Sequence, residues 1–381
     1  MIYLDNGATS FPKPRGMTAE MEDCILHYCG NPGRSGHFMS MKTGEKIYCA
    51  RKAVAELFHI QNPERIIFTK NTTESLNLAM RGYLREGDHV VTTSMEHNSV
   101  LRPLKALESC GISHTIVTAD STGLVHIEDL AAAVRENTVM LVMTAASNVT
   151  GTLQPIFEAG RMAEKLGLVF LLDAAQWAGS LPLDARAAGI SMIAFPGHKG
   201  LLGPLGTGGL YAAPGIELAP LLFGGTGTES KSLMQPRDFP EGFEAGTVNA
   251  PAIIGLGYSA SVIQKIGIEA VCCHERELVG MFDEAVSNMD FVTLYGPAAD
   301  AKSGISLFNI DGMDCEETGS RLGREFGIAV RGGYHCAGLA HKTIGTGDTG
   351  AVRLSVGPFN TRKDIRRAID AVYKLGKKRQ R

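Results

Sequence analysis

The 381-residue sequence has no Cys-x-x-Cys pair, no basic arm leading into an apolar stretch at its start, and no apolar run of the roughly 18 residues that a membrane helix requires. The first absence argues against a structural zinc site, whose ligands usually come in such pairs. The other two predict a chain that stays out of the membrane, in a reducing, cytoplasmic compartment. Neither sign of charge dominates: 37 basic residues face 40 acidic ones, for a formal net charge of −3. Nothing in that balance calls for nucleic acid or another polyanion. The one basic cluster, KLGKKRQR at 374–381, reads as a solvated, frayed end. Cysteines at 24, 29, 49, 110, 272, 273, 315 and 336 lack the spacing of a disulfide framework. Most are expected to be small buried hydrophobes. Internal repeats and low-complexity segments are missing too.

What is present is an ordinary globular composition, 44% hydrophobic and 20% charged, with an excess of glycine at 45 residues. So many glycines predict tight turns and close backbone approaches. From about 60 to 212, the apolar runs RIIFT, HVVTT, HTIVT, VMLVM, LVFLL, SMIAF and GGLYA alternate with helical periodicity. In VHIEDLAAAVRE, for example, Ile127, Leu130, Ala131 and Val134 share one face. This alternation predicts an α/β domain on a mainly parallel sheet whose strands are apolar throughout because both faces are covered. A long helical stretch runs from Ile253 towards Val286. FVTLYG, GISLFNI and AVRLSV then read as strands, and a closing helix puts Ile365, Ala368, Ile369 and Val372 on one face. That remainder is expected to be a smaller α+β domain.

The stretch AFPGHKGLLGPLGTGGLY, residues 194–211, sets one lysine among glycines just past a buried strand. It is not a nucleotide P-loop, because Lys199 is followed by Gly200 and no hydroxyl occupies the magnesium position. GLGYSA at 255–260 matches a dinucleotide fingerprint by letters, but it lies in a helix-like run with no strand before it. A reactive lysine remains. In open α/β sheets, ligands bind at the carboxyl edge of the strands. To that edge successive strands bring Lys199 and His198, Asp173 with Gln176, Asn148, His97, and Thr72 with Thr73. A lysine for an imine, an acid for a pyridinium nitrogen, and hydroxyls at a helix N-terminus for a phosphate describe a pyridoxal phosphate site.

These residues, with YLDNGATS, NTTESLN, MEHNS, SNVTGT, DAAQWAG, FEAGTVN, GIAVRGGYHC and VRLSVGPFNT, give a chain that resembles the class V aminotransferases of pyridoxal phosphate fold type I. Within them it resembles the cysteine desulfurase and selenocysteine lyase group, nearly end to end. The resemblance implies a large domain on a mainly parallel seven-stranded sheet (16–262), a smaller α+β domain (263–381), and an N-terminal segment (1–15) packed near the latter.

It further implies pyridoxal phosphate carried by Lys199, with Asp173 at the ring nitrogen, Gln176 at the ring oxygen and His97 over the ring face. Thr72, Thr73 and His198 would hold the phosphate, and Thr247 would reach the phosphate of a neighbouring subunit in a homodimer. Asn148 and Arg353 would hold the substrate carboxylate, with Arg331 at the mouth. RGGYHC matches the Arg-x-Gly-x-x-Cys motif of group II desulfurases, so Cys336 would take sulfur from L-cysteine, leave L-alanine, and pass the sulfur to an acceptor protein. Three readings stay open: a cysteine desulfurase, a selenocysteine lyase or other β-eliminating relative acting on L-selenocysteine, and a sulfur carrier without catalysis. Two departures stand out. Pro196 replaces a common serine before GHK, and the stretch AGLAHKTIGTGDTGAVR after Cys336 has a glycine-rich character of its own.

Overall fold

The computed structural model describes residues 1–32 and 36–379, so the last two residues of the basic C-terminal cluster lie outside the described residues. A short strand β1 (Ile2–Tyr3) is followed by helices α1 (Arg15–Asp23) and α2 (Phe38–Leu57). Strands and helices then alternate: β2 (Ile66–Thr69), α3 (Thr72–Tyr83), β3 (His89–Thr93), α4 (Asn98–Leu107), β4 (Ser113–Val117) and α5 (Ile127–Ala132). The series closes with β5 (Thr138–Thr144), α6 (Ile156–Lys165), β6 (Val169–Asp173), β7 (Met192–Pro196) and β8 (Gly208–Ala212). The seven apolar runs of the sequence are these seven strands, β2 to β8, each within a residue at either end. They form one sheet in the order β2-β8-β7-β6-β5-β3-β4, in which only β8 runs against its neighbours.

Residues alternate between the two faces, as the pleat demands. Leu141, Phe170, Ile193 and Phe195 pack into one core, and Met140, Leu171, Met192 and Leu210 into the other. Each fully buried side chain of this size stabilises by about 1.5–3 kcal/mol. The expectation of strands apolar on both faces fails at β4, where Ser113 and Ile116 are exposed, because no strand pairs with its outer edge. The helix expected over VHIEDLAAAVRE is also shorter. Only Ile127–Ala132 is helical, Leu130 is buried and Ala131 faces solvent.

The single long helix expected after Ile253 is two, α7 (Ala250–Ile266) and α8 (Ile268–Ser287), broken at Gly267 with φ of 88°. GLGYSA lies inside α7. A Cβ on Gly257 would sit 2.4 Å from Ala50 of α2, so that glycine serves helix packing. Next come β9 (Val292–Tyr295), β10 (Ile305–Ile310), α9 (Cys315–Phe326), β11 (Ile328–Ala329) and β12 (Arg331–Gly333). α10 (Gly338–Thr343), β13 (Ala351–Ser355) and α11 (Arg362–Arg379) complete the chain. Four of these strands form an antiparallel sheet, β12-β13-β10-β9. Beneath it Ile365, Ala368 and Val372 of α11 are buried with Phe282 and Phe308, and Ile369 is partly so. β1 returns to this region, pairing in parallel with β11, and the Ser355 amide donates to the Leu4 carbonyl at 2.8 Å.

The cysteine expectation is corrected. All eight are free, and only Cys24 and Cys315 are buried; Cys29, Cys49, Cys110, Cys273 and Cys336 are exposed and Cys272 is intermediate. Their positions on outward helix faces and turns outweigh the residue's general preference for the interior. Among the described residues, no helix is long and apolar enough to cross a membrane.

Two backbone passages meet at the carboxyl edge of the sheet. Gly179 has φ of 84°, and a Cβ there would lie 2.4 Å from the Gly200 carbonyl. The segment after β6 is thereby pressed against the Lys199 loop. Gly179→Ala should cost about 2 kcal/mol or more, from a left-handed alanine together with overpacking. Urea unfolding checks the loss, and wild-type stability would disprove the contact.

Candidate active site

Lys199 follows β7 in a loop closed on itself, with the Gly203 amide donating to the Gly197 carbonyl at 2.7 Å and the Leu202 amide to the Lys199 carbonyl at 2.8 Å. The neighbouring strand β6 ends at Asp173, in register with Thr144 of β5 and Ala194 of β7. Asp173 is 2% exposed and accepts the Ala175 amide at 2.9 Å. Burial raises the pKa of its carboxyl, against the amide bond and the pull of the Lys199 charge. Burial lowers the Lys199 amine to about 8; Arg353 and Arg331 add to the fall and Asp173 and Asp5 oppose it. A much larger share of it is therefore free base at neutral pH than for a solvated lysine.

The N-terminal segment closes the Lys199 cavity, with Asn6 and Gly7 lining it beside Gln176 and Lys199. Gln176 donates from Nε2 to the Gly7 carbonyl at 3.0 Å. The His198 carbonyl accepts from the Thr9 hydroxyl at 3.0 Å, the Ser10 amide at 3.0 Å and Lys13 Nζ at 2.8 Å.

A second corner lies at the start of α3. Asn71 caps the helix, its Oδ1 accepting the Glu74 amide at 3.0 Å. Thr73 is exposed, with its hydroxyl 2.8 Å from that of Ser99. His97 caps α4, its Nδ1 accepting the Ser99 amide at 3.1 Å and lying 2.8 Å from the Ser99 hydroxyl. Burial, reinforced by the Lys199 charge, pulls both His97 and His198 down to about 4, so both rings are neutral at neutral pH. The Thr72 hydroxyl and His198 Nδ1 are buried with no hydrogen-bond partner. Orphaned polar atoms of this kind are costly unless a ligand meets them. Together with the N-terminus of α3 they fit a phosphate group, and the Lys199 amine and Asp173 carboxyl fit the aldehyde and ring nitrogen of pyridoxal phosphate.

The third corner is built on β13. Arg353 is 1% exposed, with Nη2 donating to Asp5 at 2.9 Å and Nη1 to the Asn148 carbonyl at 2.8 Å. Its Nε is buried without a partner, a donor available to a carboxylate. Arg331 on β12 stands opposite Arg353 in register. The Asn148 side chain donates to the His335 carbonyl at 2.7 Å, and the Asn98 amide donates to the Cys336 carbonyl at 2.8 Å. Cys336 is exposed, with the Arg331 guanidinium 4.0 Å from its sulfur. Of the residues singled out in the sequence, Lys199 and Gln176 line the cavity closed by the N-terminal segment. Asp173, His97, Arg331 and Arg353 are near enough to feel one another's charge or that of Lys199, Asn148 and Cys336 are bonded beside them, and Thr247 is exposed.

Three residues of the site escaped the sequence reading: Asp5, Ser99 and Glu96. Glu96 is fully buried, and its Oε1 accepts the Thr93 hydroxyl at 2.6 Å and the Thr144 amide at 2.9 Å. Burial pushes its carboxyl up to about 8, those two bonds lower it, and the nearby Asp173 charge raises it further. The signal was its place in MEHNS, next to His97; Asp5 sits likewise within YLDNGATS.

The aminotransferase class-V family model matches residues 2–368, and the chain belongs to that family, whose members depend on pyridoxal phosphate. Within it the chain is similar to cysteine desulfurases. It is 38% identical over 371 residues to a probable cysteine desulfurase of Methanothermobacter thermautotrophicus, covering 96% of this chain and 92% of the relative. It is 32% identical to a cysteine desulfurase of Yersinia pseudotuberculosis, covering 99% and 94%. Among solved structures, the apo cysteine desulfurase of Thermococcus onnurineus superposes with a TM-score of 0.93 at 32% identity, over 99% of this chain and 94% of that one. The cysteine desulfurase CsdA of Escherichia coli, in an S-sulfonic acid form, gives 0.89 at 27% identity, over 98% and 94%.

A carboxyl held near 8 when folded keeps a proton that the unfolded chain has lost above about 4.5. Stability from Glu96 is therefore fully present below about 4.5 and is lost as pH rises towards 8 and beyond. Glu96→Gln, which keeps the acceptor, should flatten that part of the slope. Urea unfolding at about pH 5 and 8 measures it, and an unchanged slope would show Glu96 to be ionised in the fold.

Proposed function

We propose that the chain is a pyridoxal phosphate-dependent cysteine desulfurase that moves the sulfur of L-cysteine onto Cys336 and releases L-alanine. The observation that carries this is the exposed Cys336 thiol, 4.0 Å from the Arg331 guanidinium, on a turn bound by Asn98 and by Asn148, which is itself bonded to Arg353. Bound there, pyridoxal phosphate supplies an electron-accepting ring that stabilises negative charge at the substrate Cα.

The chain's own residues do the rest. Lys199 would hold the cofactor and take the Cα proton, a task suited to an amine lowered to about 8. Asp173 would keep the ring nitrogen protonated, Gln176 would face the ring oxygen and neutral His97 the ring itself. Thr72, Thr73 and His198 would hold the phosphate, to which Pro196 offers no hydroxyl. Arg353 and Asn148 receive the substrate carboxylate, and Arg331 steadies negative charge at Cys336. The Cys336 thiolate then attacks the substrate sulfur. An S–S bond forms, the S–Cβ bond breaks with its electron pair passing to carbon, and protonation of that carbon skeleton gives alanine.

On the same footing we assign Thr247 to the site of a second copy, which makes the working enzyme a homodimer. The chain divides at 16–262 and 263–381, with the break at Gly267 just beyond the boundary and residues 1–15 clasping the second part. The sulfur leaves Cys336 for an acceptor protein.

Cys336→Ala should keep the visible absorbance of bound cofactor and lose at least about 100-fold in alanine formation from L-cysteine. Mass analysis should find no persulfide at position 336. Full turnover in that variant would refute the role of the thiol. With L-selenocysteine, whose selenium leaves more readily, the same variant should retain more activity. Lys199→Ala should abolish turnover of both substrates.

A further inference from the structure

Cys336 and its neighbour His335 both adopt the left-handed conformation, with φ of 58° and 51°. Residues with a Cβ pay about 1–2 kcal/mol each for it, so something must hold the turn. Asn148 and Asn98 catch the two carbonyls. A third restraint reaches the turn through side chains.

His335 is 3% exposed and His341, on α10, is fully buried; their rings lie nearly parallel, 18° apart. His335 Nε2 is 3.0 Å from the Arg331 carbonyl, His335 Nδ1 is 3.1 Å from His341 Nε2, and His341 Nδ1 is 2.7 Å from the Thr346 hydroxyl. A carbonyl only accepts, so Nε2 of His335 carries the hydrogen. In a neutral ring its Nδ1 then accepts, so His341 donates from Nε2 and accepts at Nδ1 from Thr346. The directions run one way, from Thr346 through His341 and His335 to the Arg331 backbone. With these directions kept, an added proton on His335 would leave two N–H groups facing each other across 3.1 Å. Burial holds His335 at about 3 and His341 at about 4, which keeps both neutral.

We propose that His341 is a positioning residue for the Cys336 thiol: through His335 it fixes the left-handed turn from which the sulfur attacks. This rests on the reading of Cys336 as the sulfur-accepting residue. It gives a purpose to the His-Lys-Thr-x-x-Thr stretch after the cysteine, part of the glycine-rich segment singled out in the sequence. The hydrogen-bond chain also joins Arg331, at the mouth of the site, to the same turn.

Three variants separate positioning from packing. His341→Leu fills a similar volume and removes both nitrogen contacts, His341→Gln keeps one donor and one acceptor, and Thr346→Val deletes only the hydroxyl. Misplacing a reacting group by about 1 Å can cost about 100-fold, so His341→Leu should lower kcat for alanine formation at least about 10-fold. KM should stay within about 2-fold and cofactor absorbance should be unchanged, while persulfide formation at Cys336 slows with kcat. His341→Gln should recover to within about 3-fold of wild type, and Thr346→Val should fall about 3-fold. Wild-type kcat in His341→Leu, no recovery in His341→Gln, or loss of cofactor in parallel with kcat overturns the proposal. If His341→Leu does not fold, wild-type kcat in Thr346→Val overturns it. Cys336→Ala run alongside distinguishes the two levels. Full alanine formation there defeats the reading of the thiol itself, whereas an inactive Cys336→Ala beside a fully active His341→Leu defeats the positioning alone.

Discussion

The guanidinium of Arg353 is the point to which the site refers. A charge 1% exposed survives in a fold only when it is paired. Here the partners are Asp5 and the Asn148 carbonyl, so one side chain joins residues 5, 148 and 353. A Cβ on Gly7 would lie 3.2 Å from the same guanidinium, so the N-terminal segment lies flat against it. That segment in turn bonds Gln176 and the His198 carbonyl, beside Lys199. Asn148 extends the linkage to the Cys336 turn. Lys199, Asn148 and the Cys336 turn are thereby set relative to one buried cation.

The charges around the cavity have a common direction. Lys199, Arg353 and Arg331 act together on His97, and Lys199 and Lys13 on His198, so cations outweigh Asp5 and Asp173. Burial is the larger cause that keeps both imidazoles neutral and takes Lys199 and Lys13 to about 8, and the cations add to it at His97, His198 and Lys199. A pocket under this positive pressure favours anions. Asp173, buried at the end of β6, is the carboxylate set against the cations.

Much of this is legible in the residues. The seven strands of the main sheet announce themselves as apolar runs because both sheet faces are covered, and an edge strand such as β4 is the understandable exception. Lys199, Asp173 and Asn148 can be placed because each follows such a run directly. β1, β11 and β12 cannot be read, since two or three residues carry no period, and the pairing of β1 with β11 spans most of the chain. Gly267 shows why helix content is easier to see than a helix break: apolar spacing continues through it while the backbone does not. Glu96 and Asp5 hide behind more conspicuous neighbours, His97 and Asn6. The exposed cysteines show the limit of residue preference, because the face of an element, not the residue type, decides exposure.

The pairing of β1 with β11 has a temporal side. Ile2 finds Ile328, and Asp5 finds Arg353, only after more than three hundred intervening residues exist. During synthesis the seven-stranded sheet can be assembled while its opening segment still lacks a berth. Such long-range closure comes late in folding. Lys199 therefore lies in a cleft not yet covered by the N-terminal segment until the end of the chain arrives, and the enzyme acquires its shape as a sheet before its site is closed.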